Sequence, residues 1–586
     1  MLAFPSTYSV GITSLGFQVV WATLAQRSDV DVRRQFTDQG DPPHSDGRGR
    51  RGEPALDLFG LSLSWELDGP VLLDLLEQRR IPPWACQRGD NDPIVFGGGP
   101  VLTANPEPLA PFFDVVLLGD GELLLPAFIE ALRACRDAPR AERLRRLAQV
   151  EGIYVPALYI PLYAADGSLR AVEPIDSAIP PRVTRQTWRG NTLSHSTVIT
   201  PEAAWPAIHM VEVARSCPEL CRFCLASYLT LPFRTASLDD GLIPAVETGL
   251  AATRRLGLLG ASVTQHPQFG ELLGWLDHDR FADVRVSVSS VRAATVTAQL
   301  SRILAHRGSR SLTIAIESGS DRLREVVNKK LAREEIFRAA RHAKEGGLTG
   351  LKLYGMVGLP SEEEADVEAT ADLLLALRQA TPGLRLTLGV STFVPKAHTP
   401  FQWEGLRPVA EKRLQRLARR LKPKGIELRP ESHGWSVIQT LLSRGDRRLA
   451  PVLAAVRGQK DSLGGWKRAY RAVLAGEVEA PPLALPPPPP WSELVEATWS
   501  PERVLPWEHL GSGLPKATLW RHHQEALDPG RQDSAETGEQ HPARHIDAAV
   551  IHGDVTGMEG HEHQRGGPPG AIEERAGHHA PLGTAP

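Results

Sequence analysis

Along most of the chain, short aliphatic runs alternate with longer stretches in which apolar positions recur every three to four residues. The runs suit strands buried on both faces, and the intervening period suits helices packed against them. Between Tyr8 and about Glu130 the strand candidates are 9–13, 58–64, 94–97 and 115–119, so an α/β domain with a Rossmann-like parallel sheet is expected. Between Met210 and about Gln402 six more follow, at 210–214, 261–264, 284–290, 312–316, 351–357 and 386–393. They predict a partial (β/α)6 barrel of the TIM type, whose chemistry sits at the carboxyl ends of the strands.

This pattern divides the chain into a Rossmann-like domain (1–150), a connector (151–205), the barrel (206–404), a helical region (405–527) and a tail (528–586). Pro486 to Pro490 reads as a stiff linker within the helical region. The tail, rich in Gly, Pro, Glu, Gln and His, has too few aliphatic residues to offset its ordering entropy, so disorder is expected there. Its histidines, among them His561 and His563, are read as part of that extension. Gly97, Gly98 and Gly99 follow one strand, and Gly119-Asp120-Gly121-Glu122 follows another. Loops at such strand ends bind ligands in open α/β sheets, although a plain βα turn needs glycine equally.

The composition is ordinary for a folded chain: 42% hydrophobic and 23% charged over 586 residues, long enough for several domains. A net charge of −3 offers no global attraction to nucleic acid. The basic helix of AEKRLQRLARRLKPKG reads first as a solvated face, with RNA binding as the alternative. Five cysteines exclude a disulfide framework. No basic n-region, long apolar h-region or membrane span is legible, so a cytoplasmic protein without a membrane partner is expected.

Three of the cysteines carry the chemistry. Cys217-Pro-Glu-Leu-Cys221-Arg-Phe-Cys224 follows the strand run VEVAR, placing three thiols on one loop at a strand end. An iron–sulfur cube with a cysteine on every iron is coordinatively closed, whereas three cysteines leave one iron open to an outside ligand. A Cys3His zinc site with His209 or another histidine as fourth ligand competes with this reading, although zinc usually uses paired CxxC knuckles. Cys86 and Cys135 stand alone and read as small hydrophobes.

The CxxxCxxC spacing, with Phe223 before the last cysteine, resembles the radical S-adenosylmethionine (SAM) signature. With FPSTYSVGITSLGFQ, IESGSDRLREVVNKK, KLYGMVGLPSEEE and VPKAHTPFQW, the chain resembles radical SAM proteins that carry an N-terminal cobalamin-binding-like domain, over roughly residues 3–527. The resemblance implies a [4Fe–4S] cluster on Cys217, Cys221 and Cys224, with SAM on the open iron. An electron from a flavodoxin- or ferredoxin-type donor would cleave SAM to a 5′-deoxyadenosyl radical that attacks a substrate the sequence does not name. SAM contacts are implied at Phe223, Glu317, Ser318, Gly355 and Gly358. Ser262 and Thr264 stand where relatives carry a GGE-like motif, a departure from the pattern. Lys396 and His398 are implied near the barrel mouth as catalytic groups.

Cobalamin, as a further cofactor, would lie against Gly97, Gly98, Gly99, Gly119 and Gly121. The DxHxxG motif of histidine-ligated cobalamin domains is replaced by Gly11-Ile-Thr13-Ser-Leu-Gly16, without Asp or His. The leading function is therefore radical modification of a substrate, including cobalamin-assisted methylation. Methylthiotransferase-like modification of tRNA or protein, and a noncatalytic iron–sulfur or RNA-associated protein, are the alternatives.

Overall fold

The computed structural model describes residues 1–41, 55–481, 483, 485–511 and 513–528. The expected disorder after 528, with the tail histidines, lies outside the described residues.

The first sheet comprises β1 (Leu2–Ala3), β2 (Arg34–Gln35), β3 (Leu58–Ser62), β4 (Ile94–Gly98), β5 (Val115–Leu117) and β6 (Ile153–Tyr154), in the order β2-β1-β3-β4-β5-β6. It is parallel except for β6, which runs antiparallel to β5. The run 9–13 is corrected: Tyr8–Gly11 is a helical turn, and the first strand lies earlier. Coiling stacks Tyr8 and Ile12 one turn apart, and both join the Phe4, Phe17 and Phe36 cluster. A hairpin of β7 (Tyr159–Tyr163) and β8 (Leu169–Pro174), then β9 (Val183–Thr184), leads towards the barrel.

The barrel is open. Strands β10 (His209–Arg215), β12 (Arg255–Gly260) and β13 (Arg285–Val288) form one parallel arc, edged by the antiparallel β11 (Arg234–Thr235). Strands β14 (Ser311–Glu317), β15 (Gly350–Val357), β16 (Arg385–Thr392) and β17 (Glu427–Pro430) form a second. A single bridge, Val291 to Ile314, joins the two. Alternate positions such as Val211, Leu256, Leu258, Ile314 and Leu353 enter a core shared with the outer helices, and the other positions face the barrel interior. The second strand is Arg255–Gly260, not 261–264: Gly260 comes against the Ala214 carbonyl, and Val263–Gln265 turns into a 3-10 helix.

Helices Ala410–Leu421, His433–Arg444, Ala450–Val456 and Leu463–Leu474 follow. The basic helix Ala410–Leu421 is matched by acids on and just before Glu364–Ala380: Arg413 pairs with Glu362 and Glu364, Arg416 with Glu364 and Glu368, and Arg420 with Glu368 and Asp372. The proline run is packed rather than free, with Tyr470 donating to the Pro489 carbonyl before the helix Trp491–Val495 begins. No helix among the described residues is long and apolar enough to cross a membrane.

The largest core belongs to no single stretch of chain. It joins the first sheet to Ile438, Leu441 and Leu453 of the later helices and to Trp507. Glu107, Tyr154 and Arg447 meet inside it: Arg447 donates to Glu107 at 2.7 Å and to Tyr154 at 2.5 Å, and Tyr154 donates to Glu107 at 2.6 Å.

Candidate active site

Strand β10 ends at Arg215, and the loop carrying Cys217, Cys221 and Cys224 leads into the helix Leu225–Leu229. The loop is held from the far side of the barrel. Arg222 donates to the carbonyls of Glu325 and Val326 at 2.9 and 3.0 Å, and its own amide donates to Val327. Asn328 donates to the carbonyls of Glu219 and Leu220, and Tyr228 also donates to Leu220. Glu219 pairs with Arg292 and accepts from Gln265 at 2.6 Å, which ties the loop to the turn after β12. Ser216, Leu220, Glu317, Asn328 and Lys330 all have positive φ. Such non-glycine strain persists only where the surroundings over-determine it, and it concentrates at working sites.

All three thiols are free. Burial pushes the Cys221 thiol up to about 12 and raises that of Cys224. Lys329 stands beside them: burial works to lower its ammonium pKa, but Glu317, 2.7 Å away, and the neighbouring cysteines outweigh that and raise it. Among the described residues no three His, Cys, Asp or Glu side chains are gathered tightly enough to grip one metal ion. His209, the candidate fourth zinc ligand, points away from the cysteine loop, with its ring bonded to the Ala245 carbonyl at 2.9 Å. The donor set fits an iron–sulfur cube: three soft thiols on one loop, with the Glu317–Lys329 ion pair beside them.

Beside this loop opens a cleft of about 470 Å³ between the first domain and the barrel. The first domain contributes Ser14, Gly16, Gly98, Gly99, Gly119 and Gly121, and the barrel contributes Glu212, Ser216, Gly260 and Ala261. Gly119 has φ of +118°, and a Cβ there would drive into the Gln186 backbone, so only glycine lets the two chains run this close. Gly97 does not reach the cleft; it lies under Leu102 and Phe113.

A charge cluster closes one side. Arg215 meets Asp120 at 3.1 Å, Glu122 at 2.8 Å and Glu212 at 2.7 Å, while Arg234 meets Asp120 at 2.6 Å. These contacts bind the GDGE turn of the first domain to the first barrel strand. Arg215→Met leaves three carboxylates without their common cation, and amide exchange over residues 119–123 is expected to accelerate roughly tenfold or more by mass spectrometry, since local opening follows local stability.

The other expected contacts fall in different places. Glu317 ends β14 beside Lys329, close to the cysteines. Ser318 turns away, 3.4 Å from Thr370, and accepts the Ser320 amide. Gly355 lies against the Glu317 carbonyl, and Gly358 packs on Ala410 of the basic helix. Phe223 packs with Leu323, Val326 and Phe401. Ser262 is bonded to Gln265, and Thr264 to Thr295 at 2.7 Å.

Lys396 and His398 need correction, because neither lies in this cleft. Lys396 pairs with Glu66 of the first domain, whose other oxygen takes a bond from Gln439 at 2.8 Å. His398 is buried near Trp507, its amide donates to Gln402 at 2.9 Å, and burial drives its imidazole pKa down to about 3. Both serve the seam between domains. Sequence reading missed Arg215, Arg222, Asn328 and Lys329; only the last two had a signal, the NKK run after the fourth barrel strand.

An open parallel barrel with a cysteine trio beyond its first strand, fronted by an α/β domain that shares its cleft, is the architecture of a radical SAM enzyme. Residues 16–156 match the family described as "Radical SAM proteins, N-terminal", and residues 211–374 match the "Radical SAM superfamily". The chain belongs to that superfamily, whose members use a [4Fe–4S] cluster and SAM. An uncharacterized protein of Methanocaldococcus jannaschii is 27% identical over 460 residues, covering 77% of this chain and 90% of that protein. Among solved structures, the radical SAM methyltransferase TsrM from Kitasatospora setae, with cobalamin and a [4Fe–4S] cluster bound, aligns with a TM-score of 0.47 and 16% identity over 71% of this chain and 74% of that one. The cobalamin-dependent SAM radical enzyme OxsB aligns with a TM-score of 0.42 and 14% identity over 64% and 51% of the two chains. Likenesses this distant assign this chain no ligand and no substrate.

Proposed function

We propose that Cys217, Cys221 and Cys224 hold a [4Fe–4S] cluster at which SAM is cleaved reductively, and that the resulting radical chemistry acts on a substrate in the adjoining cleft. The observation that carries this is the rigid three-thiol loop at the carboxyl end of the first barrel strand, opening beside a cleft that both domains line. When bound, the cluster supplies one electron to the sulfonium of SAM, and an external flavodoxin- or ferredoxin-type donor supplies it to the cluster. The chain's own part is positional. Arg222 and Asn328 keep the loop in register, the Glu317–Lys329 pair sets the local charge, and Leu229 and Leu259 line the cleft with apolar surface that limits water.

The finer reading is cobalamin-assisted methyl transfer. Its support is the glycine-rich wall at Gly98, Gly99, Gly119 and Gly121, where a flat macrocycle can approach backbone closely. Among the described residues the lining includes no His, Cys or Met to serve as a cobalt ligand.

Anaerobic reconstitution with iron and sulfide, then dithionite and SAM, is expected to yield 5′-deoxyadenosine by chromatography, and hydroxocobalamin added to the same protein is expected to copurify. Zinc in place of iron in protein isolated anaerobically would sink the reading. A reduced, SAM-bound cluster that yields no cleavage product with or without cell extract would sink it too.

A further inference from the structure

We propose that the lower part of the barrel interior binds an anionic small molecule bearing a flat ring. A TIM-type interior is ordinarily filled by bulky branched side chains. Here the inward positions include Gly257, Ser287, Ser289 and Thr313, and they leave a second cavity of about 630 Å³ that touches the first at Leu259. That volume suits a small ligand.

The charge of the lining is one-sided. Arg255, Arg285 and Lys352 line the cavity, and among the described residues no Asp or Glu does. Arg255 and Arg285 stand opposite each other in the β12–β13 register, and Lys352 stands opposite Thr313 in the β14–β15 register. Like charges directly opposite on neighbouring strands repel. Arg255 donates to the Pro206 carbonyl at 2.5 Å, and among the described residues Arg285 and Lys352 have no ion-pair partner. Three cations so placed suit a phosphate or carboxylate, although the Ser287 and Ser289 hydroxyls between them already donate to the Leu256 and Gly260 carbonyls.

The ring is indicated by two aromatics. Tyr354 is 50% exposed and Trp205 52% exposed, and both line the cavity. Tyr354 lies over Gly389, its register partner on β16, with ring atoms 2.9 and 3.0 Å from where a Cβ would stand. That side of the ring rests on β16, and the exposed half of the residue is left for contact with a ligand ring.

Binding here is separate from the cluster chemistry; only the further step, that this ligand is the substrate, rests on the radical SAM reading. Full-length protein without reductant is titrated calorimetrically with uridine monophosphate and indole-3-acetate, alongside uridine and indole-3-acetamide. Neither anion carries adenine, so a SAM site does not interfere. At least one anion should bind with a Kd below about 1 mM, its neutral counterpart roughly tenfold more weakly, and the stronger anion distinguishes phosphate from carboxylate. Lys352→Glu should raise the Kd roughly tenfold or more and Tyr354→Ala roughly threefold or more. Both side chains are solvent-accessible, and Lys352→Met guards against misfolding of the first variant. Absent binding by both anions, equal binding of the neutral counterparts, or a Kd unmoved in both Lys352 variants would overturn the proposal. The SAM-cleavage assay is independent of each of these outcomes.

Discussion

Replacing any one of Cys217, Cys221 and Cys224 by alanine is expected to remove the cluster and lower SAM cleavage by more than roughly a thousandfold, about 4 kcal/mol or more of lost transition-state stabilisation. Two thiols cannot hold a cube against loss of iron, so iron content and the visible absorbance of the reconstituted protein should fall together in each variant. The fold should survive. The loop is held by Arg222, Asn328 and Tyr228 rather than by the thiols, so the variants' melting temperatures before reconstitution should match the parent's. A single-cysteine variant that keeps full iron and activity would show that the trio is not the ligand set.

The second large effect is on stability. Glu107 is 1% exposed, and its carboxyl is held below the usual range: burial works to raise it, but Arg447 and His509 outweigh the burial. Arg447→Met leaves that carboxylate, and Tyr154 beside it, without a cation, and breaking a buried pair in this way costs about 3–5 kcal/mol. Urea denaturation followed by tryptophan fluorescence should show the first transition shifted to lower denaturant, and the Glu107→Gln, Arg447→Met double variant should recover part of the loss. Because the folded pKa of Glu107 is depressed, its contribution is present above the unfolded value of about 4.3 and is lost as pH falls through the folded value. The single variant should therefore lose part of the parent's acid sensitivity. Unchanged unfolding at neutral pH would mean that Glu107 is protonated or solvated after all.

How much of this was legible depends on the distance over which each residue finds its partners. The cysteine trio and the loop it sits on are local, spanning Cys217 to Cys224, and the barrel strands announce themselves as aliphatic runs. The first strand escaped because β1 is two residues long, shorter than any periodicity. The second barrel strand is expected too late, at 261–264, because nothing local shows that the chain turns at Gly260, where the Ala214 carbonyl comes against it. Lys396 looked like a catalytic group at a barrel mouth; its partner Glu66 lies 330 residues away, and no local pattern reports that. The same holds for Arg215, whose carboxylates Asp120 and Glu122 come from another domain.

The shared core has a consequence for how the chain is made. Arg447 follows Glu107 by 340 residues, and the ribosome adds roughly 5–20 residues per second. The first domain therefore leaves the ribosome tens of seconds before the helices that cover its apolar face exist. During that interval Leu72, Leu73 and Leu76, which end up in the shared core, lack their later neighbours. Expression in a host short of holding chaperones should accordingly lose the protein at synthesis, before any iron is inserted.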